Sequence, residues 1–233
     1  MTLKILGETV PLTEERYYLG VALAESFPIK AGKPEFLTQH LERLAEGCRA
    51  LAWPDPDLAA IKKACLQKAK GKTGSLRLRY WGEEPAAVLI QRLPAGPPRG
   101  PQKLLTTVVR HYGASSLQSR LKVNAMLSNR LAQLETQVWA DDGLRLTQDG
   151  LVAEGVWTNI VVRKGKVVRT PPLHLGLLEG VTRARLLERL GRKYLVKQEP
   201  LTRYDLWTAD EVWVCSSLRG AVKVKEVDGR SFR

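Results

Sequence analysis

The segment Pro94-Ala-Gly-Pro-Pro-Arg-Gly-Pro101 constrains this chain more than any other stretch. Proline fixes φ and carries no amide hydrogen, so so dense a run continues neither a helix nor a central strand. The chain must leave one packed body here and enter another. Each side of the break is long enough to bury a core of its own, at roughly 100 residues or more. The expected division is residues 1–96, a linker over 97–104, and a second domain over 105–233.

Periodicity fills in both halves. Leu41, Leu44, Ala45, Cys48 and Leu51 recur at helical spacing within Thr38–Leu51, and Trp53-Pro-Asp-Pro56 ends that helix. Leu58–Lys70 reads as a second helix. Gly74–Tyr80 alternates Leu76, Leu78 and Tyr80 against Arg77 and Arg79, the pattern of a half-exposed strand. Met1–Val10, with a turn at Gly7-Glu8, and Ala86–Gln91 are further strands. Beyond the break, Asn124–Ala140 is expected as one helix with Leu127, Leu131, Leu134 and Val138 on one face. Leu151–Val162 reads as a single strand, followed by a hairpin turning at Lys164-Gly165. Thr182–Leu190 is a helix closed by Gly191, and Glu211–Cys215 and Ala221–Val227 are strands. Helices and strands alternate irregularly, so the fold class is α+β.

Charge comes next, because it invites a wrong first guess. Thirty-seven Lys+Arg against 24 Asp+Glu leave +13, which suits a polyanion partner. No nucleic-acid module and no aromatic platform accompanies it, so no nucleic-acid partner is expected. No apolar run approaches the ~18 residues that span a bilayer, and no secretory signal opens the chain. Cys48, Cys65 and Cys215 form no CxxC pair and no metal-ligand spacing, so they read as buried small hydrophobes in a reducing, cytoplasmic setting.

Three clusters carry chemistry. Lys122 stands just before the long helix; it is a nucleophile if burial or a neighbouring cation destabilises its ammonium, and a solvated lysine otherwise. In Val152-Ala-Glu-Gly-Val-Trp-Thr-Asn159, alternation puts Val152, Glu154, Val156 and Thr158 on one face. Glu154 is then either an edge charge or the partner of a buried cation. In Leu178-Glu-Gly-Val-Thr-Arg183 a glycine turn opens a helix, which is either a phosphate cradle or an ordinary threonine-bearing helix start.

In this order and spacing the clusters resemble the fold-type IV pyridoxal-phosphate enzymes, the class IV aminotransferase family. His40-Leu-Glu-Arg43-Leu44 is similar to the family's H-x-x-R-L segment, and Glu154 with Thr158-Asn159 to E-x-x-x-S-N. Thr170-Pro-Pro172 with Gly180-Val-Thr-Arg183 resembles T-P-P…G-I-T-R, and Asp210-Glu-Val212 resembles D-E-V. The resemblance implies two domains, a smaller N-terminal α/β sandwich and a larger C-terminal α/β pseudobarrel. It implies pyridoxal 5'-phosphate as cofactor, with Lys122 as the catalytic Schiff-base lysine and Glu154 facing the pyridine nitrogen. It implies a phosphate site of Arg43, Val181, Thr182 and Ser217, a small anionic substrate and a homodimer.

The chain also departs from the family. The G-D-G-x-F-E-T segment on the substrate side appears as Gly20-Val-Ala-Leu-Ala-Glu25-Ser26, and the customary Arg-Gly is Trp81-Gly82. Ser216-Ser-Leu-Arg-Gly220 looks like the lyase versions of its segment. The resemblance therefore implies 4-amino-4-deoxychorismate lyase first and an amino-acid aminotransferase second, with Arg79, Arg110 or Arg120 as carboxylate-binding candidates. A non-catalytic relative is the third reading.

Overall fold

The computed structural model describes residues 2–5, 8–11, 21–83, 85–96 and 100–232. The expected turn at Gly7, Gly20 of the glycine-poor segment, and residues 97–99 of the proline-rich break lie outside the described residues. The chain forms two compact units, one of residues 1–97 with 121–125, the other of 98–120 with 126–233.

In the first unit β1 (Thr2–Ile5) pairs antiparallel with β2 (Glu8–Pro11). Then come β3 (Leu23–Lys30), β4 (Lys33–Pro34), helices α1 (Leu37–Ala50) and α2 (Leu58–Ala69), β5 (Gly74–Trp81) and β6 (Ala87–Leu93). An antiparallel sheet runs β4-β3-β5-β6. The odd positions of β3 and the even ones of β5 pack with the helices, so Leu23, Phe27, Leu76 and Leu78 meet Leu41 and Leu44 in one core. Burying each such side chain contributes about 1.5–3 kcal/mol. Asp57 starts α2 by accepting the Ala60 amide at 2.9 Å. The thiols of Cys48 and Cys65 are buried, and burial pushes both up to about 11.

In the second unit the elements are β7 (Gln102–Thr106), α3 (Leu117–Arg120), α4 (Leu127–Thr136), β8 (Asp142–Leu146), β9 (Val152–Gly155) and β10 (Asn159–Lys164). There follow β11 (Val167–Thr170), a single 3-10 turn at Leu173–Leu175, α5 (Val181–Gly191), β12 (Leu195–Gln198) and α6 (Arg203–Trp207). The last are β13 (Glu211–Ser216), β14 (Gly220–Val227) and β15 (Arg230–Ser231). The sheet runs β12-β11-β10-β13-β14-β7-β8-β9, with β15 also on β14. One apolar cluster joins Leu104, Leu144, Ile160, Val214 and Val224; a second seats α5 through Leu186 and Leu187 against Val161, Val168 and Trp213. Among the described residues no helix is long and apolar enough to cross a membrane.

Three expectations need correction. The second domain was to hold everything from residue 105, yet residues 121–125 pack with the first unit. Val123 enters that unit's core with Leu121 against it, while the flanking backbone bonds to β3. The helix expected over Asn124–Ala140 runs only over Leu127–Thr136, since Asn124 is held in that extended pairing. It buries Ala132 and Thr136 and leaves Leu127, Leu131 and Leu134 exposed. Finally, the single strand Leu151–Val162 breaks into β9 and β10. Gly155 donates its amide to the Thr158 carbonyl at 2.6 Å, so residues 156–158 turn, and the alternation through Val156 and Thr158 does not hold.

Candidate functional site

In the first unit Lys122 lies in extended backbone against the start of β3. Its carbonyl accepts the Ala24 amide at 2.6 Å, the Asn124 amide donates to the Ala22 carbonyl at 2.8 Å, and Leu23 bridges Val123. Anchoring by Val123 on the core side sends Lys122 and Asn124 to the opposite face, because successive side chains alternate. The lysine thus sits on a backbone held from both sides rather than at the free start of a helix. Lys122 is half-buried.

Arg43 projects from α1 to a buried carboxylate. Its Nε donates to Glu25 Oε1 at 2.8 Å and its Nη2 to Oε2 at 2.7 Å, and His40 Nδ1 donates to Oε2 at 2.6 Å. Burial alone would raise the Glu25 carboxyl; the Arg43 charge and the bonds from His40 and Arg43 outweigh it and hold the group at about 2. The resemblance gave Arg43 a phosphate. Here one edge of its guanidinium is already committed, which fixes its orientation.

The second unit builds a carboxylate site of its own. Glu154 on β9 faces Arg145 across the β8–β9 ladder, and Arg145 Nη2 donates to Oε1 at 3.2 Å. Glu154 is therefore the partner of a buried cation, one of the two readings its sequence context allowed. His111 Nε2 lies 3.4 Å from the same oxygen. His111 Nδ1 accepts the Gly113 amide at 3.3 Å, so the ring nitrogen turned toward Glu154 carries the proton. Asn159 Nδ2 donates to Glu154 Oε2 at 3.2 Å and to the Leu178 carbonyl at 3.1 Å, tying the carboxylate to the approach of α5. A Cβ on Gly180 would stand 2.0 Å from Asn159 Oδ1, so only glycine fits where α5 begins.

No side chain caps α5, whose first residues are Val181 and Thr182. The leading amides of a helix attract an anion. Arg183 turns inward instead: it donates to Thr170 Oγ1, the Pro171 carbonyl and Gln198 Oε1 at 3.3, 2.9 and 2.9 Å, and burial lowers its basicity. Asn159 is the strand partner of Cys215, so Ser217 lies just past Asn159's position, in the turn between β13 and β14. Asp142 braces that turn. Its Oδ2 accepts Thr158 Oγ1 at 2.8 Å and Arg219 Nη1 at 3.0 Å. Burial raises the Asp142 carboxyl, against the Arg219 charge and the Thr158 bond.

The second unit thus brings together Glu154, Asn159, the Val181–Thr182 start and the Ser217 turn, while Lys122 and Arg43 belong to the first. Sequence reading missed His111, Asp142, Arg145 and Arg219. Arg145 had a signal, a lone cation inside an apolar strand; Asp142 and Arg219 are 77 positions apart and had none.

Comparison with known proteins gives a consistent picture. The family model described as amino-transferase class IV matches residues 22–227. A branched-chain-amino-acid aminotransferase-like protein 2 of Arabidopsis thaliana is 29% identical over 91% of this chain, which spans 42% of that protein's length. An aminodeoxychorismate lyase of Bacillus subtilis is 26% identical over 91% of this chain and 80% of its own. The crystal structure of 4-amino-4-deoxychorismate lyase from Pseudomonas aeruginosa superposes with a TM-score of 0.84 at 28% identity, covering 96% of this chain and 90% of that one.

Proposed function

The chain belongs to the class IV aminotransferase family, and on that premise we propose that it is a pyridoxal-phosphate-dependent 4-amino-4-deoxychorismate lyase. The donor set fits the cofactor. A buried carboxylate suits a pyridinium, an uncapped helix start suits a phosphate, and a lysine on fixed backbone suits covalent attachment. The observation that carries this reading is Glu154, buried yet backed by Arg145 and steered by Asn159 toward the beginning of α5.

When bound, the cofactor supplies an electron sink for the bond broken at the substrate's amine-bearing carbon. Lys122 holds the cofactor and moves the proton at that carbon. Glu154 would face the ring nitrogen and favour its protonated form, and Arg145 balances the carboxylate's charge. The Val181 and Thr182 amides, with Thr182 and Ser217 hydroxyls, bind the phosphate. The family resemblance assigns the phosphate Arg43 as well, a charge-assisted donor whose direction within its own unit Glu25 fixes. Loss of that proton and of the enolpyruvyl substituent gives 4-aminobenzoate and pyruvate, with no second substrate.

Lyase is preferred over aminotransferase because Ser216-Ser-Leu-Arg-Gly220 resembles the lyase versions of its segment, and because Trp81 occupies the place of the family's customary carboxylate-binding arginine. Purified protein given 4-amino-4-deoxychorismate and no keto acid is expected to release 4-aminobenzoate, followed by chromatography. Amino-acid-dependent loss of the visible cofactor band, restored by 2-oxoglutarate and without any 4-aminobenzoate, would select the aminotransferase. Protein that takes up no cofactor would leave the non-catalytic reading.

A further inference from the structure

The second unit holds a buried carboxylate that the proposed chemistry does not use. Asp142 starts β8 with its side chain fully buried, and the side chain of its partner Arg219 is 10% exposed. Asp142 Oδ1 accepts the Gly143 amide at 3.0 Å. Oδ2 is shared: the Thr158 hydroxyl donates to it at 2.8 Å and Arg219 Nη1 at 3.0 Å. Thr158 ends the turn between Glu154 and Asn159, and Arg219 ends the turn that carries Ser217. One oxygen atom thus joins the turn beside the nitrogen-facing carboxylate to the turn assigned to the phosphate.

The local structure is shaped around that atom. Ser216 pairs with Gly220, so Ser217, Leu218 and Arg219 form a three-residue turn, closed by Gly220 at φ +68°. Leu218 at its tip is 47% exposed, and the turn is anchored from its far side, where Arg219 reaches inward to Asp142. The other turn is pinned at both ends. Asn129 Nδ2 donates to the Val156 carbonyl at 2.6 Å, and Asp142 takes the Thr158 hydroxyl. Glycine reserves the space: a Cβ on Gly155 would strike Thr158 Oγ1 and stand 2.9 Å from Asp142 Oδ2. A buried ion pair contributes little net stability over an apolar replacement, because both charges lose their water. What it supplies is direction, since a guanidinium bonded to a fixed carboxylate keeps one orientation.

We propose that Asp142 is a positioning residue for the cofactor: through Arg219 it sets the Ser217 turn to receive the phosphate, and through Thr158 it keeps that turn in register with Glu154 and Asn159. That assignment rests on the pyridoxal-phosphate reading for the identity of its ligand. Arg219 acts here through Ser217. Its loss is therefore felt by ligands that carry a phosphate and not by the ring alone, and adds little once the Ser217 hydroxyl is gone.

The test titrates the full chain, dialysed free of cofactor, with three probes. Pyridoxal phosphate and pyridoxal are followed by the visible band and inorganic phosphate by calorimetry, with melting temperature read on the same samples. Arg219→Gln is expected to weaken both phosphate-bearing probes about tenfold and pyridoxal by less than about twofold. Asp142→Asn, whose amide oxygen still accepts the Thr158 hydroxyl, should show the same split. Arg219→Lys keeps the charge and should lose only about threefold. Adding Ser217→Ala to Arg219→Gln should cost no more than about a further twofold, where independent contacts would multiply. Lys164→Gln, which removes an exposed cation at the end of β10, should change nothing. If Arg219→Gln does not fold, Arg219→Lys carries the test, its loss again confined to the phosphate-bearing probes. Equal losses for pyridoxal and pyridoxal phosphate, multiplying losses in the double variant, or wild-type phosphate affinity in the Arg219 variants would overturn the proposal. So would an equal loss in Lys164→Gln, or failure of the unaltered protein to bind inorganic phosphate. Absence of a visible band with either aldehyde would instead overturn the cofactor reading, and the inorganic phosphate titration would still decide the role of Arg219.

Discussion

Two buried glutamates, one in each unit, are held by cations in different ways. Glu25 is 1% exposed and receives donors at 2.6, 2.7 and 2.8 Å from His40 and Arg43. Its charge is spent inside the fold. Glu154 is 9% exposed, and its contacts from Arg145, Asn159 and His111 are longer, at 3.2 to 3.4 Å. Each carboxylate meets three donors, so the two differ in how closely they are gripped: Glu25 is clamped, and Glu154 is compensated at longer range. The first carboxylate is locked into the fold; the second is oriented and held more loosely.

Breaking each cluster in turn separates them. The largest effect is expected from Glu25→Gln, which takes the counter-charge from the half-buried Arg43 beside the buried His40 and should cost about 3–5 kcal/mol in chemical denaturation. Glu154→Gln strands the more deeply buried Arg145, so it should cost a comparable amount and in addition lower turnover at least a hundredfold. An equal loss of turnover in Glu25→Gln would erase the distinction. Acid titration sharpens it next. The folded Glu25 carboxyl lies at about 2 against 4.5 for the free group, so its stabilisation is complete above pH 4.5 and is lost as pH falls toward 2. About 3 kcal/mol is at stake, and Glu25→Gln should flatten that part of the stability–pH curve. The smallest effect is expected from Gly180→Ala. The added methyl meets Asn159 Oδ1 and displaces the amide that steers Glu154, costing roughly 1–3 kcal/mol and weakening cofactor retention. It should leave the acid titration of Glu25 unchanged.

What the sequence made legible follows the same division. Local signals were sound: α1, α2 and α5 lie within a residue or so of their apolar periods, and Gly180 marks the start of α5 because nothing larger fits there. Non-local bonds overrode local pattern elsewhere. The leucines after Lys122 read as one helix from Asn124, yet β3 draws Asn124 into an extended pairing. Alternation carried Glu154 and Thr158 along one strand, yet the Gly155–Thr158 bond turns the chain and Asp142 fixes the turn from another strand. The motif residues themselves were legible. Of their orienting partners, Arg145 left a local signal in its hairpin strand, whereas His111 and Arg219 reach Glu154 and Asp142 from loops distant in sequence and left none.

The most direct test of the central claim is chemical trapping at Lys122. Purified protein loaded with pyridoxal phosphate is reduced with borohydride, digested and mapped by mass spectrometry. A pyridoxyl group on Lys122, absent from Lys122→Ala together with the visible band, is the predicted result. A pyridoxyl group on a different lysine, or none at all in protein that holds the cofactor, would contradict it.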